Sequence, residues 1–86
     1  MVERKITIEN QTGLHARPAS MLVKEANKFK SDITINKSDK TANAKSILSV
    51  LSLGVAKGDE ITIKASGEDE NDAISAIINL IETFKE

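Results

Sequence analysis

Cysteine, tryptophan and tyrosine are absent from the 86 residues, and phenylalanine occurs only at Phe29 and Phe84. Without cysteine there is neither a disulfide framework nor a thiolate metal site, and a reducing compartment costs the fold nothing. With so few aromatic rings, single-stranded nucleic acid has no platform on which to stack its bases. No charge of either sign dominates: twelve basic and thirteen acidic residues give a net charge of −1, which removes the electrostatic footprint of a direct nucleic-acid binder. Long hydrophobic runs are missing too. The most apolar stretch, Ile47 to Ala56, is interrupted by Ser49, Ser52 and Gly54 and falls short of the ~20 residues a membrane helix needs, so no membrane insertion is expected. The N-terminal Met1-Val2-Glu3-Arg4-Lys5 runs directly into an alternating pattern, without the apolar core of an export signal, and predicts a cytoplasmic protein. The length predicts one small domain over residues 1–86.

What is present is a sequence of changing periodicities. Val2, Ile6 and Ile8 alternate with Lys5, Thr7 and Glu9 as a strand covered on one face, with Arg4 out of pattern. Asn10-Gln11-Thr12-Gly13 supplies turn chemistry. From Ala16 the apolar positions become Ala19, Leu22, Val23, Ala26 and Phe29, the stripe of an amphipathic helix that Ser31-Asp32 ends. Pro18, the only proline, fits near the start of that helix. Ile33 and Ile35 mark a second strand, Lys37-Ser38-Asp39-Lys40 a hairpin turn, and Ala42 with Ala44 a short third strand. Ser46 opens a short helix in which Ile47, Val50 and Leu51 follow helical spacing, Leu48 falls off the stripe and Gly54 marks the stop. After the turn Lys57-Gly58-Asp59, a fourth strand carries Ile61, Ile63 and Ala65. An acidic turn at 67–71 leads into a last helix with Ala73, Ile74, Ile77, Ile78, Ile81 and Phe84 on one stripe. The order β-α-β-β-α-β-α predicts an α+β open-faced β-sandwich: a four-stranded, mainly antiparallel sheet with three helices on one face.

The chemistry concentrates at Thr12-Gly13-Leu14-His15-Ala16-Arg17-Pro18-Ala19, where the only histidine falls at or beside a helix N-cap. Backbone N–H groups there lack intrahelical acceptors, and the helix dipole favours an anion. An imidazole so placed can act as a nucleophile toward a phosphoryl group, with Arg17 adding a charge-assisted hydrogen bond and Thr12 a hydroxyl from the loop side. Gly13 lets the backbone approach closely. A histidine at such a place also reads as a capping or solvated residue. One histidine without cysteine makes no metal site, no cofactor motif is present, and no second histidine supports an acid–base or Ser-His-Asp enzyme.

At Gly13-Leu14-His15-Ala16-Arg17-Pro18-Ala19 the chain closely resembles HPr, the histidine-containing phosphocarrier of the bacterial sugar phosphotransferase system, in a Gram-positive-like form with a regulatory serine. The resemblance spans essentially the whole chain, and Lys45-Ser46-Ile47-Leu48-Ser49-Val50-Leu51-Ser52-Leu53-Gly54 supplies a second family motif. It implies that His15 accepts a phosphoryl group on its δ nitrogen from enzyme I and passes it to the IIA domains of sugar permeases. Arg17 then stabilises that group, with Thr12, Gly13, Ala16 and Pro18 shaping the site. The protein is on this reading a covalent carrier, not an enzyme, and works as a monomer. Ser46, a good helix N-cap in its own right, is by resemblance the target of HPr kinase/phosphorylase, which links the protein to a catabolite-control transcription regulator. Ser20, Lys24, Asn27, Lys45, Ile47, Leu48 and Leu51 resemble the family's partner-docking surface. Leu48 and Leu51 stand where Gram-positive members often carry methionine, and Ser49 where many carry glycine. Two rivals share parts of the pattern: a catabolite-repression paralogue, which lacks the histidine, and the carrier of a nitrogen-related phosphotransfer chain, which generally lacks the Ser46 context.

Overall fold

A computed structural model describes residues 1–84. Seven elements follow one another: β1 (Val2–Thr7), α1 (Ala16–Ala26), β2 (Asp32–Lys37), β3 (Lys40–Asn43), α2 (Ile47–Ser52), β4 (Glu60–Ser66) and α3 (Glu70–Glu82). The four strands form one sheet in the order β1-β4-β2-β3, every neighbouring pair antiparallel. This is the expected β-α-β-β-α-β-α arrangement, with an order across the sheet that periodicity alone does not contain.

β4 lies in the middle. Ile61, Ile63 and Ala65 turn to the helices and stand opposite Ile6, Arg4 and Val2 of β1, while Ile63 and Ala65 stand opposite Ile35 and Ile33 of β2. Directly paired residues share a face. Thr62 and Lys64 therefore project to the other side with Lys5, Glu3, Thr34 and Asn36, which makes that face polar. The register also explains why Arg4 interrupts the alternation. It occupies a helix-side position at the free edge of β1, where it is exposed, and a charge on an edge strand discourages pairing with another chain.

Helices α1 and α3 pack together over the sheet, and α2 lies against α1 and β3. Ala19, Leu22 and Ala26 of α1, Val50 of α2, and Ala73, Ile74, Ile77 and Ile81 of α3 meet Ile33, Ile35, Ile61 and Ile63 in one core. The ends of two helices differ from the stripes that predicted them. α1 stops at Ala26 because the Asn27 side chain donates to the Val23 carbonyl at 2.8 Å and the chain tightens into three-residue turns, Lys28 N–H to Glu25 and Phe29 N–H to Ala26. Phe29 thus packs on the core from beyond the helix, and Asp32 begins β2. α3 starts at Glu70, ahead of its first apolar residue, and ends at Glu82, where the Thr83 hydroxyl donates to the Leu80 carbonyl; Phe84 covers the core from outside it. Among the described residues no helix is long and apolar enough to cross a membrane.

Candidate functional site

His15 is the N-cap of α1, its backbone extended (φ −86°, ψ −169°) and its carbonyl accepting the Ala19 N–H at 2.8 Å. Its side chain makes no capping hydrogen bond and is exposed, so the ring is not consumed in ending the helix. Pro18 is buried in the first turn and contributes no N–H, so Ala16 and Arg17 supply the first backbone N–H groups of α1. Ala16 and Arg17 are exposed at the same end of α1, and Thr12 is exposed on the loop leading into it.

The loop before His15 is held from behind. Leu14 is buried, and its N–H donates to the Val55 carbonyl at 3.0 Å. The buried Asn10 side chain donates to the Gly13 carbonyl at 2.8 Å, while the Gly13 N–H donates to the Asn10 carbonyl at 3.1 Å. Gly13 is left-handed (φ +61°) and lies so close to the 55–56 backbone that a Cβ built on it would fall 2.3 Å from the Val55 oxygen. No other residue fits there. Asn10 is the functional support that sequence reasoning missed. It reads locally as one more turn residue, and only burial beside Gly13 reveals its amide as the brace of the loop.

Ser46 caps α2: its hydroxyl oxygen accepts the Ser49 N–H at 3.3 Å, and its carbonyl accepts the Val50 N–H at 3.0 Å. Its half-buried position leaves it beside two residues assigned to the docking surface that the structure uses as ties. The Asn27 amide donates to the Lys45 carbonyl at 3.2 Å, and the Lys45 ammonium donates to the Phe29 carbonyl at 2.8 Å, which binds the end of α1 to the start of α2. Ser20 and Lys24 lie exposed on α1.

Only part of the helical stripe of α2 is buried. Of Ile47, Val50 and Leu51 only Val50 is buried, joined by Leu53, whereas Ile47 and Leu51 are each 37% exposed and Leu48 is 78% exposed. A six-residue helix tilted onto α1 and β3 can bury only one narrow edge, so the remaining apolar side chains face outward. Met21 of α1, 43% exposed, adds to the apolar surface on the neighbouring helix and was not predicted.

A groove of about 630 Å³ runs between the end of β1 and the end of α3, lined by Lys5, Glu9, Asn10, Glu82 and Phe84 among others, without His15 or Ser46. His15 is exposed at the start of α1, within reach of another macromolecule. Among the described residues no group of three or more His, Asp or Glu side chains could hold a metal ion.

Comparison with known proteins places the chain in a family. The family model described as the PTS HPr component phosphorylation site matches residues 2–83. An HPr-like protein Crh from Halalkalibacterium halodurans is 46% identical over 82 residues, covering 95% of this chain and 98% of that protein. The crystal structure of an HPr from Thermoanaerobacter tengcongensis is 49% identical and superposes with a TM-score of 0.94, over 96% of this chain and 93% of that one. Crh of Bacillus subtilis, described as an intertwined dimer with a swapped domain, is 42% identical with a TM-score of 0.78, over 100% of this chain and 99% of that one. The monomer expected from the sequence does not anticipate such an assembly.

Proposed function

The chain belongs to the HPr family of phosphotransferase-system phosphocarriers, and from that premise we propose that His15 accepts a phosphoryl group from phosphorylated enzyme I and delivers it to the IIA domains of sugar permeases. The observation that carries this reading is the exposed, uncapping imidazole of His15 at the start of α1. An unprotonated ring nitrogen, the δ nitrogen by family resemblance, attacks phosphorus; the P–N bond forms as the donor's bond to phosphorus breaks, and the transferred oxygens meet the N–H groups of Ala16 and Arg17. The Arg17 guanidinium adds charge-assisted donors. Only modest stabilisation is needed, because a carrier that bound the group too tightly would not release it. In this reading residues 1–86 act as one carrier domain in the cytoplasm, as a monomer, with no cofactor.

Ser46 gives the second, regulatory part of the proposal: phosphorylation by HPr kinase/phosphorylase. A phosphate at a helix N-cap is electrostatically tolerated, so the modification need not unfold α2 and instead adds charge beside the exposed Ile47 and Leu48. That surface would then dock differently with enzyme I and a catabolite-control transcription regulator. The Crh relative favours weighing a purely regulatory role; by family resemblance, catabolite-repression paralogues lack the histidine, and His15 is present here.

Incubation with enzyme I and phosphoenolpyruvate should add one acid-labile phosphoryl group by intact mass, absent in His15→Ala; an unmodified wild type beside active enzyme I would overturn the carrier reading. Incubation with the kinase and ATP should add one acid-stable phosphate that Ser46→Ala abolishes, and label retained in that variant would reassign the site.

A further inference from the structure

Lys37 ends β2 far from His15 in sequence, yet its ammonium meets both ends of the segment on which the His15 loop rests. It donates to the Gly54 carbonyl at 2.8 Å and pairs with Asp59 Oδ2 at 2.9 Å. The same carboxylate oxygen accepts the Ala56 N–H at 2.8 Å, and the Asp59 N–H donates to the Ala56 carbonyl at 3.0 Å. Residues 54–59 are thereby closed into a loop whose outer side is held by one lysine.

The inner side of that loop is the seat of the site. The Val55 carbonyl accepts the Leu14 N–H, Gly13 packs against the backbone of Val55 and Ala56, the Gly58 N–H donates to the Ile8 carbonyl at 2.7 Å, and the Ile8 N–H donates to the Asp59 carbonyl at 2.9 Å. Any movement of 54–59 is passed through Leu14 to the peptide that sets the direction of His15. A half-exposed ion pair adds little to stability, whereas displacement of a reacting group by a fraction of an ångström is felt strongly in rate.

We propose that Lys37 and Asp59 form a clasp that positions His15 for phosphoryl transfer by fixing the 54–59 loop beneath Gly13 and Leu14. Both are positioning residues; neither touches the reacting atoms. The proposal rests on the phosphocarrier reading for its kinetic consequence and on geometry alone for its structural one.

The test uses Lys37→Met, which keeps the aliphatic stem and removes both bonds, with Lys37→Arg as the conservative rescue. Asp69→Asn serves as a destabilised control, since Asp69 lies beyond the opposite end of β4 from Asp59. In Lys37→Met the Leu14 amide and His15 ring resonances should shift, and kcat for phosphorylation by enzyme I should fall about tenfold with KM unchanged, because the faces of α1 and α2 are untouched. Lys37→Arg should restore both readouts, and Asp69→Asn should keep the wild-type kcat. Lys37→Met with unmoved Leu14 and His15 resonances, or with wild-type kcat, overturns the clasp, as does a kcat loss shared equally by Asp69→Asn. If the wild type accepts no phosphoryl group, the carrier reading fails, and the resonances by themselves still decide whether the clasp sets His15.

Discussion

Leu14 and His15 are neighbours, yet one is buried and the other stands in solvent. The extended backbone at His15 accounts for the division, since successive side chains of an extended segment point to opposite sides. Burying Leu14 is what presents His15. A similar economy operates at Asp69, the N-cap position of α3, whose carboxylate does not cap its own helix. It accepts the backbone N–H groups of Lys30 and Ser31, each at 2.9 Å, and the Ser31 hydroxyl, so it fastens the start of β2 to the start of α3. The Ser31 hydroxyl, then the Lys30 N–H, hold its pKa down from 3.8 to about 2. A carboxyl with a depressed folded-state pKa stabilises the protein above its unfolded pKa, and that contribution disappears as pH falls through the folded value. Thermal unfolding followed by circular dichroism from about pH 5 to about pH 2 should therefore show Tm falling through this window. Asp69→Asn should begin several degrees lower at the upper end and fall less steeply, with a residual slope from Asp59 and Glu70, whose pKa values are also lowered. Parallel curves for the two proteins would deny Asp69 this role.

Among the elements, α2 shows most clearly how position in the fold overrides pattern. Ile47, Val50 and Leu51 follow one helical spacing, but the helix is short and meets its neighbours along the Val50–Leu53 edge. The apolar residues left outside cost hydration without contributing to the core, an arrangement that belongs to interaction surfaces. Replacing Leu48 by lysine should thus change stability by less than ~0.5 kcal/mol in calorimetry, while KM for phosphorylation by enzyme I rises several-fold in initial-rate assays. A large loss of stability in Leu48→Lys would mean that the side chain packs inside. α1 is the reverse case: its stripe was legible out to Phe29, and the side chain of Asn27, by bonding back to Val23 and across to Lys45, ends the helix early while leaving Phe29 on the core.

At the scale of the whole molecule the central strand is decisive. Ile63 of β4 is fully buried and stands opposite both Arg4 of β1 and Ile35 of β2, so its truncation opens a cavity where two strands and the helices meet. Ile63→Ala should cost about 2–5 kcal/mol in denaturant unfolding, a large share of the ~5–15 kcal/mol that holds a domain folded; a cost near zero would place the residue outside the core. The seven elements, their order and most of their inward-facing residues were legible in the chain, because alternation and helical spacing report which side of each segment is apolar. The His15 corner was legible too, since Gly13, Pro18 and the change of period at Ala16 mark a helix start locally. What the sequence by itself determined is thus the local half of the problem: where segments begin, which way they face, and that the histidine falls at a helix start. Tertiary structure alone decided that β4 divides β1 from β2, that α2 meets its neighbours along the Val50–Leu53 edge, and that Asn10, Val55, Lys37 and Asp59 converge behind His15. These are pairings between residues well apart along the chain, and periodicity, which encodes only one segment's contrast between its own two sides, carries no record of the partner each side will meet.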